Sequence, residues 1–339
     1  MKNIGVLGAG PWGTALARML HNSGHRVCMW SALEQEVDEL STTRTHPNLP
    51  GMQIPPQIRF TKNIADACRG QDIILFAVPS PFVRATAKKA APYITRGQIV
   101  ADVAKGIEAD TLMTMSQIIA QELGDLQIEP VALSGPTHAE EVARDLPTTI
   151  VAACSDLSLA QQVQEVFSSP CMRVYTNDDV LGVELCGAIK NVMALATGIA
   201  AGLGCGDNTK AALITRGLSE IMQLGLAMGC KMQTFSGLAG VGDLIVTTTS
   251  MHSRNNRCGM LIGKGVKVDD AVAQIGMVVE GLHALPAAMA LSKKYHVEMP
   301  IVETVHRIVC GQITPNEAVS LLMMREQKSE YTFRSVNRA

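Results

Sequence analysis

The chain has no paired cysteine motif and no recognisable set of metal ligands. Its nine cysteines, Cys28, Cys68, Cys154, Cys171, Cys186, Cys205, Cys230, Cys258 and Cys310, contain no CxxC pair and are odd in number. That pattern argues against a disulfide framework and fits a reducing cytoplasm. None of the histidines shows HExxH or paired-ligand spacing. His138-Ala139-Glu140 imitates the start of a zinc deaminase signature, but no Pro-Cys-x-x-Cys follows it, so no metal site is expected. An excess of one charge is missing too. With 29 basic against 31 acidic residues the formal net charge is −2, which offers no general attraction for nucleic acid or an anionic membrane. Any anion must be bound locally. The longest apolar stretch, Val192 to Cys205, falls short of the ~18 residues of a membrane span and reads as a buried helix. Lys2 ahead of an apolar stretch resembles a secretory signal, yet Pro11 and His21 interrupt it.

What the chain does have is glycine in one telling place. The strand-like run Ile4 to Leu7 leads into Gly8-Ala9-Gly10-Pro11-Trp12-Gly13, followed by Ala15, Leu16, Met19 and Leu20 at helical spacing, then Gly24 and a second strand, Arg26 to Trp30. Strand, glycine turn, helix and strand make one dinucleotide-binding βαβ unit. Gly8 permits the tight turn, Gly10 lets backbone approach a pyrophosphate, and Gly13 lets helix and strand pack closely. Pro11 suits the first helical turn, where its missing N–H leaves no bond unmade. The tip of the second strand should meet the adenosine ribose. It reads Trp30-Ser31-Ala32, with no carboxylate until Glu34, which tilts the choice slightly toward NADPH or toward a site that takes both NADPH and NADH, without supplying an arginine for a 2′-phosphate.

Length and an apolar content of 47% predict two domains. Apolar runs at Ile73 to Val78, Ile99 to Val103 and Pro130 to Leu133 read as buried parallel strands. The first ends at Pro79-Ser80-Pro81, where the next helix should begin, and the others end in loops that can wall a site at the carboxyl edge of the sheet: Ala104-Lys105-Gly106 and Ser134-Gly135-Pro136-Thr137. Thr148 to Ala153, a helix over Leu157 to Phe167, and Arg173 to Tyr175 extend this domain to about Asp179; beyond Val180 helical periodicity dominates. The expected division is 1–179 and 180–339. The eighteen methionines should fill gaps between helices, and the polar stretch from Glu326 to Ala339 should fray.

The second region opens with Val183 to Asn191, which sets Lys190 in an apolar helix. A buried ammonium needs partners, and this one, turned into the cleft, could exchange a proton with a carbinol oxygen as hydride moves. Asp243 emerges from the glycine-rich Gly237 to Gly242, and Ser253-Arg254-Asn255-Asn256-Arg257 supplies either a fork of donors suited to a phosphate or, for its two arginines, a solvated helix start. A hydroxy-acid dehydrogenase of the same architecture and a non-catalytic dinucleotide sensor are the competing readings.

At this point the chain resembles, over nearly its whole length, the bacterial NAD(P)-dependent glycerol-3-phosphate dehydrogenases. GAGPWGTALA, VAKGIE at Val103, SGPTHAEE at Ser134, GVELCGAIKNVMALATGI, NTKAALITRGL at Asn208, GLAGVGDLIVTTTS with SRN, and VVEG at Val278 carry the resemblance. It implies an α/β fold: an N-terminal Rossmann-type doubly wound domain, then a mostly α-helical C-terminal domain like that of 6-phosphogluconate dehydrogenase. It also implies cytoplasmic NAD(P)H-dependent reduction of dihydroxyacetone phosphate to sn-glycerol 3-phosphate for glycerophospholipid synthesis. Lys190 is then the catalytic acid and base. Lys105, Gly135, Thr137, Lys190, Asp243, Ser253, Arg254 and Asn255 would bind substrate. Gly8, Gly10, Pro11, Trp12, Gly13, Lys105, Ala139, Arg254, Val278 and Glu280 would hold NADPH or NADH. The expected partner is a triose phosphate, with no nucleic acid, no membrane insertion and a homodimer through helical surfaces. Relatives commonly carry serine at Pro11, a larger polar residue at Ala32 and arginine at Asn256, so a cofactor hydrogen bond and one local positive charge should be missing here.

Overall fold

A computed structural model describes residues 1–327, 329 and 330. Most of the stretch expected to fray therefore lies outside the described residues. In chain order the first region runs β1 (Asn3–Leu7), α1 (Pro11–Asn22), β2 (Arg26–Trp30), α2 (Glu34–Thr43), β3 (Arg59–Thr61), α3 (Ile64–Cys68), β4 (Ile73–Phe76), α4 (Val83–Ala90), β5 (Ile99–Asp102), α5 (Met115–Leu123), β6 (Val131–Ser134), α6 (Ala139–Val142), β7 (Thr148–Ala153), α7 (Leu157–Phe167) and β8 (Met172–Asn177). The strands form one sheet in the order β3-β2-β1-β4-β5-β6-β7-β8. Order reverses between β1 and β4, the switch point beside which open α/β sheets bind ligands.

Alternation along the strands feeds two layers. Ile4, Val6, Ile73 and Leu75 pack with α1 and α7 on one face, while Leu7, Ile74 and Phe76 pack with α3, α4 and α5 on the other. Two features depart from the sequence reading. The edge strand β3 is only three residues long and carries no alternating pattern to announce it. And β7 runs antiparallel to β6, with Leu133 opposite Ala152. The link between them holds only the four-residue α6 and stays at the carboxyl edge, so the chain re-enters the sheet from that side.

Among the described residues every regular element from Val180 onward is helical: α8 (Val180–Gly202), α9 (Asp207–Ala227), α10 (Met232–Phe235), α11 (Asp243–Thr249), α12 (Arg254–Gly263), α13 (Val268–Ile275), α14 (Glu280–Tyr295), α15 (Pro300–Val309) and α16 (Pro315–Met323), with a π turn over Leu238–Gly242. Asp179 caps α8 by accepting from Gly182 N at 3.0 Å, and its other oxygen takes Lys231 N and Thr234 Oγ1, fastening the helix start to α10. At 23 residues α8 is longer than the apolar run suggested, and by length and composition it could cross a bilayer. It is instead the core of its domain, with 89% of its most apolar window buried under neighbouring helices.

The contact of α8 with α12 is a backbone contact. A Cβ on Gly198 would lie 2.1 Å from the Asn256 carbonyl oxygen, and one on Gly263 would lie 2.2 Å from that of Ile199. Gly198 and Gly202 face Gly259 and Gly263, so the two helices touch with no side chain between them.

Candidate active site

The glycine turn is shaped for a phosphate. Gly8 sits at φ +121°, a conformation that side chains disfavour, and its N–H donates to Trp30 O at 2.8 Å. A Cβ on Gly13 would fall 2.3 Å from Gly8 O, whereas one on Gly10 would meet nothing within 4 Å. Gly8 and Gly13 are thus committed to packing, and Gly10 borders open space in front of α1. Pro11 is the first residue of that helix, and Thr14 ties back to Ala9 O through its hydroxyl at 2.8 Å. Free N–H groups at a helix start and an open cradle fit a dinucleotide pyrophosphate.

Across the domain junction, three charges from three distant segments meet. Asp243, fully buried at the start of α11, accepts from Lys105 Nζ at 2.7 Å through one carboxylate oxygen and from Lys190 Nζ through the other. Lys190 Nζ also donates to Thr247 Oγ1 at 2.7 Å, and Lys105 Nζ to Gly135 O at 3.0 Å and Thr137 Oγ1 at 3.3 Å. Burial pulls the Lys190 ammonium down to about 7; Asp243 opposes that and Lys105 reinforces it. An amine with this balance can hold or release a proton near neutrality. Asp102, buried at the end of β5, accepts from Ala104 N at 3.0 Å and so pins the loop that delivers Lys105. Its own carboxyl is pushed well up by burial, with Glu184 adding to the shift.

Arg254 begins α12, capped by Ser253, whose Oγ accepts from Asn256 N at 3.2 Å. Among the described residues the Arg254 guanidinium makes no hydrogen bond or ion pair, feeling Glu280 and Glu140 only at longer range. A half-buried cation in that state is set to receive an anion. The Asn255 carbonyl end accepts from Gly281 N at 2.8 Å and its amide donates to Asn191 Oδ1 at 2.9 Å, so it braces α8 and α14 and keeps one N–H spare. Glu280, first residue of α14, takes Ser80 N at 3.1 Å and Ser80 Oγ, closing a second bond across the junction. Ala139 opens α6, which packs on α1, and Val278 is half-buried just before α14.

The missing positive charge at Asn256 turns out to concern the helix core, because Asn256 is buried and donates to Thr248 O at 2.9 Å and Thr197 Oγ1 at 3.2 Å. Sequence reading overlooked Thr247, although it lies four residues after Asp243 on the same helical face. It also overlooked the pairing of Ser80 with Glu280, residues 200 positions apart for which no local pattern exists. Among the described residues no three His, Cys, Asp or Glu side chains are placed to hold a metal ion.

A Rossmann-type sheet with its phosphate cradle facing a lysine-carboxylate cluster on a helical domain defines a nicotinamide-dinucleotide-dependent dehydrogenase. The chain belongs, more narrowly, to the NAD-dependent glycerol-3-phosphate dehydrogenase family: residues 3–160 match the family model for its N-terminus and residues 179–320 that for its C-terminus. A glycerol-3-phosphate dehydrogenase [NAD(P)+] of Lactobacillus delbrueckii subsp. bulgaricus is 62% identical over 98% of this chain and 100% of its own length. One from Agathobacter rectalis is 50% identical over 98% of each. The crystal structure of the Coxiella burnetii glycerol-3-phosphate dehydrogenase superposes with a TM-score of 0.91 at 38% identity, covering 96% of this chain and 99% of that one.

Proposed function

We propose that the cleft reduces dihydroxyacetone phosphate reversibly to sn-glycerol 3-phosphate, feeding glycerophospholipid synthesis, with Lys190 as acid and base. The observation that carries this reading is the convergence of Lys105 and Lys190 on one buried carboxylate, Asp243, at the junction of the two regions. Gly8, Gly10, Pro11, Trp12 and Gly13 would hold the pyrophosphate side of the coenzyme, with Ala139, Arg254, Val278 and Glu280 closing over it. A bound reduced nicotinamide supplies the hydride. Lys190 donates its proton to the C2 oxygen as negative charge develops there, Asp243 and Thr247 aim its Nζ, and Lys105 adds a second positive charge beside that oxygen. Gly135 and Thr137 fix Lys105, and Arg254 at the α12 N-terminus takes the phosphate, with Ser253 and Asn255 setting that turn.

The same reading divides the chain at 179/180, where β8 has ended and α8 begins. It places the protein in the cytoplasm, as nine unpaired cysteines suggest, and as a homodimer, supported by the exposed apolar Leu321 and Met323 of α16. Small net charge supports the expectation of no nucleic-acid partner. Loss of reduced-nicotinamide absorbance with dihydroxyacetone phosphate, compared with 2-keto acids, tests the reaction. Turnover of the triose phosphate is expected, and turnover of keto acids alone would overturn it.

A further inference from the structure

The tilt toward NADPH rested on the lack of a carboxylate in the residues next to the β2 tip. The fold brings one there from α2. Glu36 turns back so that its carboxylate accepts the hydroxyl of Ser31, the residue immediately after Trp30. Ser31 is buried, and its Oγ also accepts from Leu33 N at 3.1 Å, which locks the turn between strand and helix. Trp30 O in turn holds Gly8 N, so this carboxylate stands beside the glycine turn itself. His46 closes the other side. Its Nδ1 accepts from Asn48 N at 3.1 Å, which leaves the proton on Nε2, and its ring faces Glu36, Glu39 and the Ala9 carbonyl. Burial pulls the His46 imidazole down, toward the neutral form, so it does not cancel the charge of Glu36.

The rest of this edge is acidic. Glu34, Glu36, Asp38 and Glu39 fall within six residues of α2. Three cations lie near this edge: Lys62 Nζ binds Asp38 at 2.8 Å and lies 3.6 Å from Glu34, Arg44 donates to Ile58 O at 2.7 Å while stacking on Phe60, and Lys89 Nζ rests over the Trp30 ring at 5.1 Å. A ribose 2′-hydroxyl can donate to a carboxylate at this position. A 2′-phosphate would bring about two more negative charges to an edge that already carries four carboxylates, where Lys62 and Arg44 are committed to other partners.

We propose that Glu36, held on Ser31, reads the adenosine ribose and makes this chain prefer NADH to NADPH. This rests on the coenzyme orientation given above, and the test separates the two. Dissociation constants for NADH and NADPH, measured by fluorescence with no triose phosphate present, report the preference whatever the carbonyl substrate is. The native chain is expected to bind NADH at least about tenfold more tightly, and Glu36→Gln to shrink that ratio by about tenfold, roughly the effect of a charged hydrogen bond. Ser31→Ala, which keeps the charge but frees it, is expected to weaken NADH and leave NADPH poor. Circular dichroism of each variant verifies folding, and Ser31→Ala carries the test if Glu36→Gln does not fold. Tighter binding of NADPH by the native chain would overturn the proposal. So would an unchanged ratio in the folded variants.

Discussion

The two walls of the cleft are made of different material. On the sheet side the proposed cofactor cradle is backbone: Gly8 and Gly13 are packed against neighbouring main chain, Gly10 borders open space, and the groups left to receive a phosphate are the N–H donors at the uncapped start of α1. On the helical side the working parts are buried charges, with Lys190 and Asp243 both below a tenth exposed and Lys105 reaching in from the sheet to share the carboxylate. A backbone cradle needs only the right turn. A buried cluster of two cations and one anion stands only because each member compensates another, and removing one leaves the rest unmatched. The cradle should therefore govern affinity, and the cluster rate.

The contrast is broken most directly at Lys190. Lys190→Met keeps much of the volume and removes the ammonium, so kcat for reduction should fall about 10²- to 10⁴-fold, with coenzyme affinity far less changed. The pH profile sharpens this. A proton donor at about 7 gives a reduction rate that declines as pH rises above that value, because less of the lysine is protonated, and the variant should lose that limb. A full-rate variant would show that the buried amine is structural.

Next in size is Arg254→Ala, which addresses the phosphate end. Removing one charged hydrogen bond of roughly 1.5–3 kcal/mol should raise KM for the triose phosphate by about 10- to 150-fold. Steady-state kinetics with dihydroxyacetone phosphate measures it. The smallest effect is expected at the seam between the walls. Ser80→Ala removes one hydroxyl from Glu280 but keeps the Ser80 N–H bond, so KM for the coenzyme should rise only a few fold, as for a hydrogen bond of about 0.5–1.5 kcal/mol.

The same contrast explains what could be read from the chain beforehand. The glycine turn is local: its conformational needs are written in six consecutive residues, and β2 and α7 likewise lie where alternation and helical periodicity put them. Lys190 betrayed itself by being a cation in an apolar helix. By contrast, Ser80 with Glu280 and Asp102 under the Lys105 loop are meaningful only once distant segments have been brought together. Asn256 likewise takes its meaning from distant segments, donating from α12 to Thr197 of α8 and to the Thr248 carbonyl of α11. The antiparallel β7 escaped notice because a buried strand has the same apolar signature in either direction.

The glycine-on-glycine crossing of α8 and α12 bears on which phosphate esters fit. Lys190 rides on one of these helices and Arg254 leads the other, and main chain rests directly on main chain where they cross. The backbones that carry the proposed proton donor and anion clamp are consequently held at a fixed gauge, which only the reach of the two side chains can adjust. A ketose phosphate longer than that side-chain reach would have to slide a whole helix.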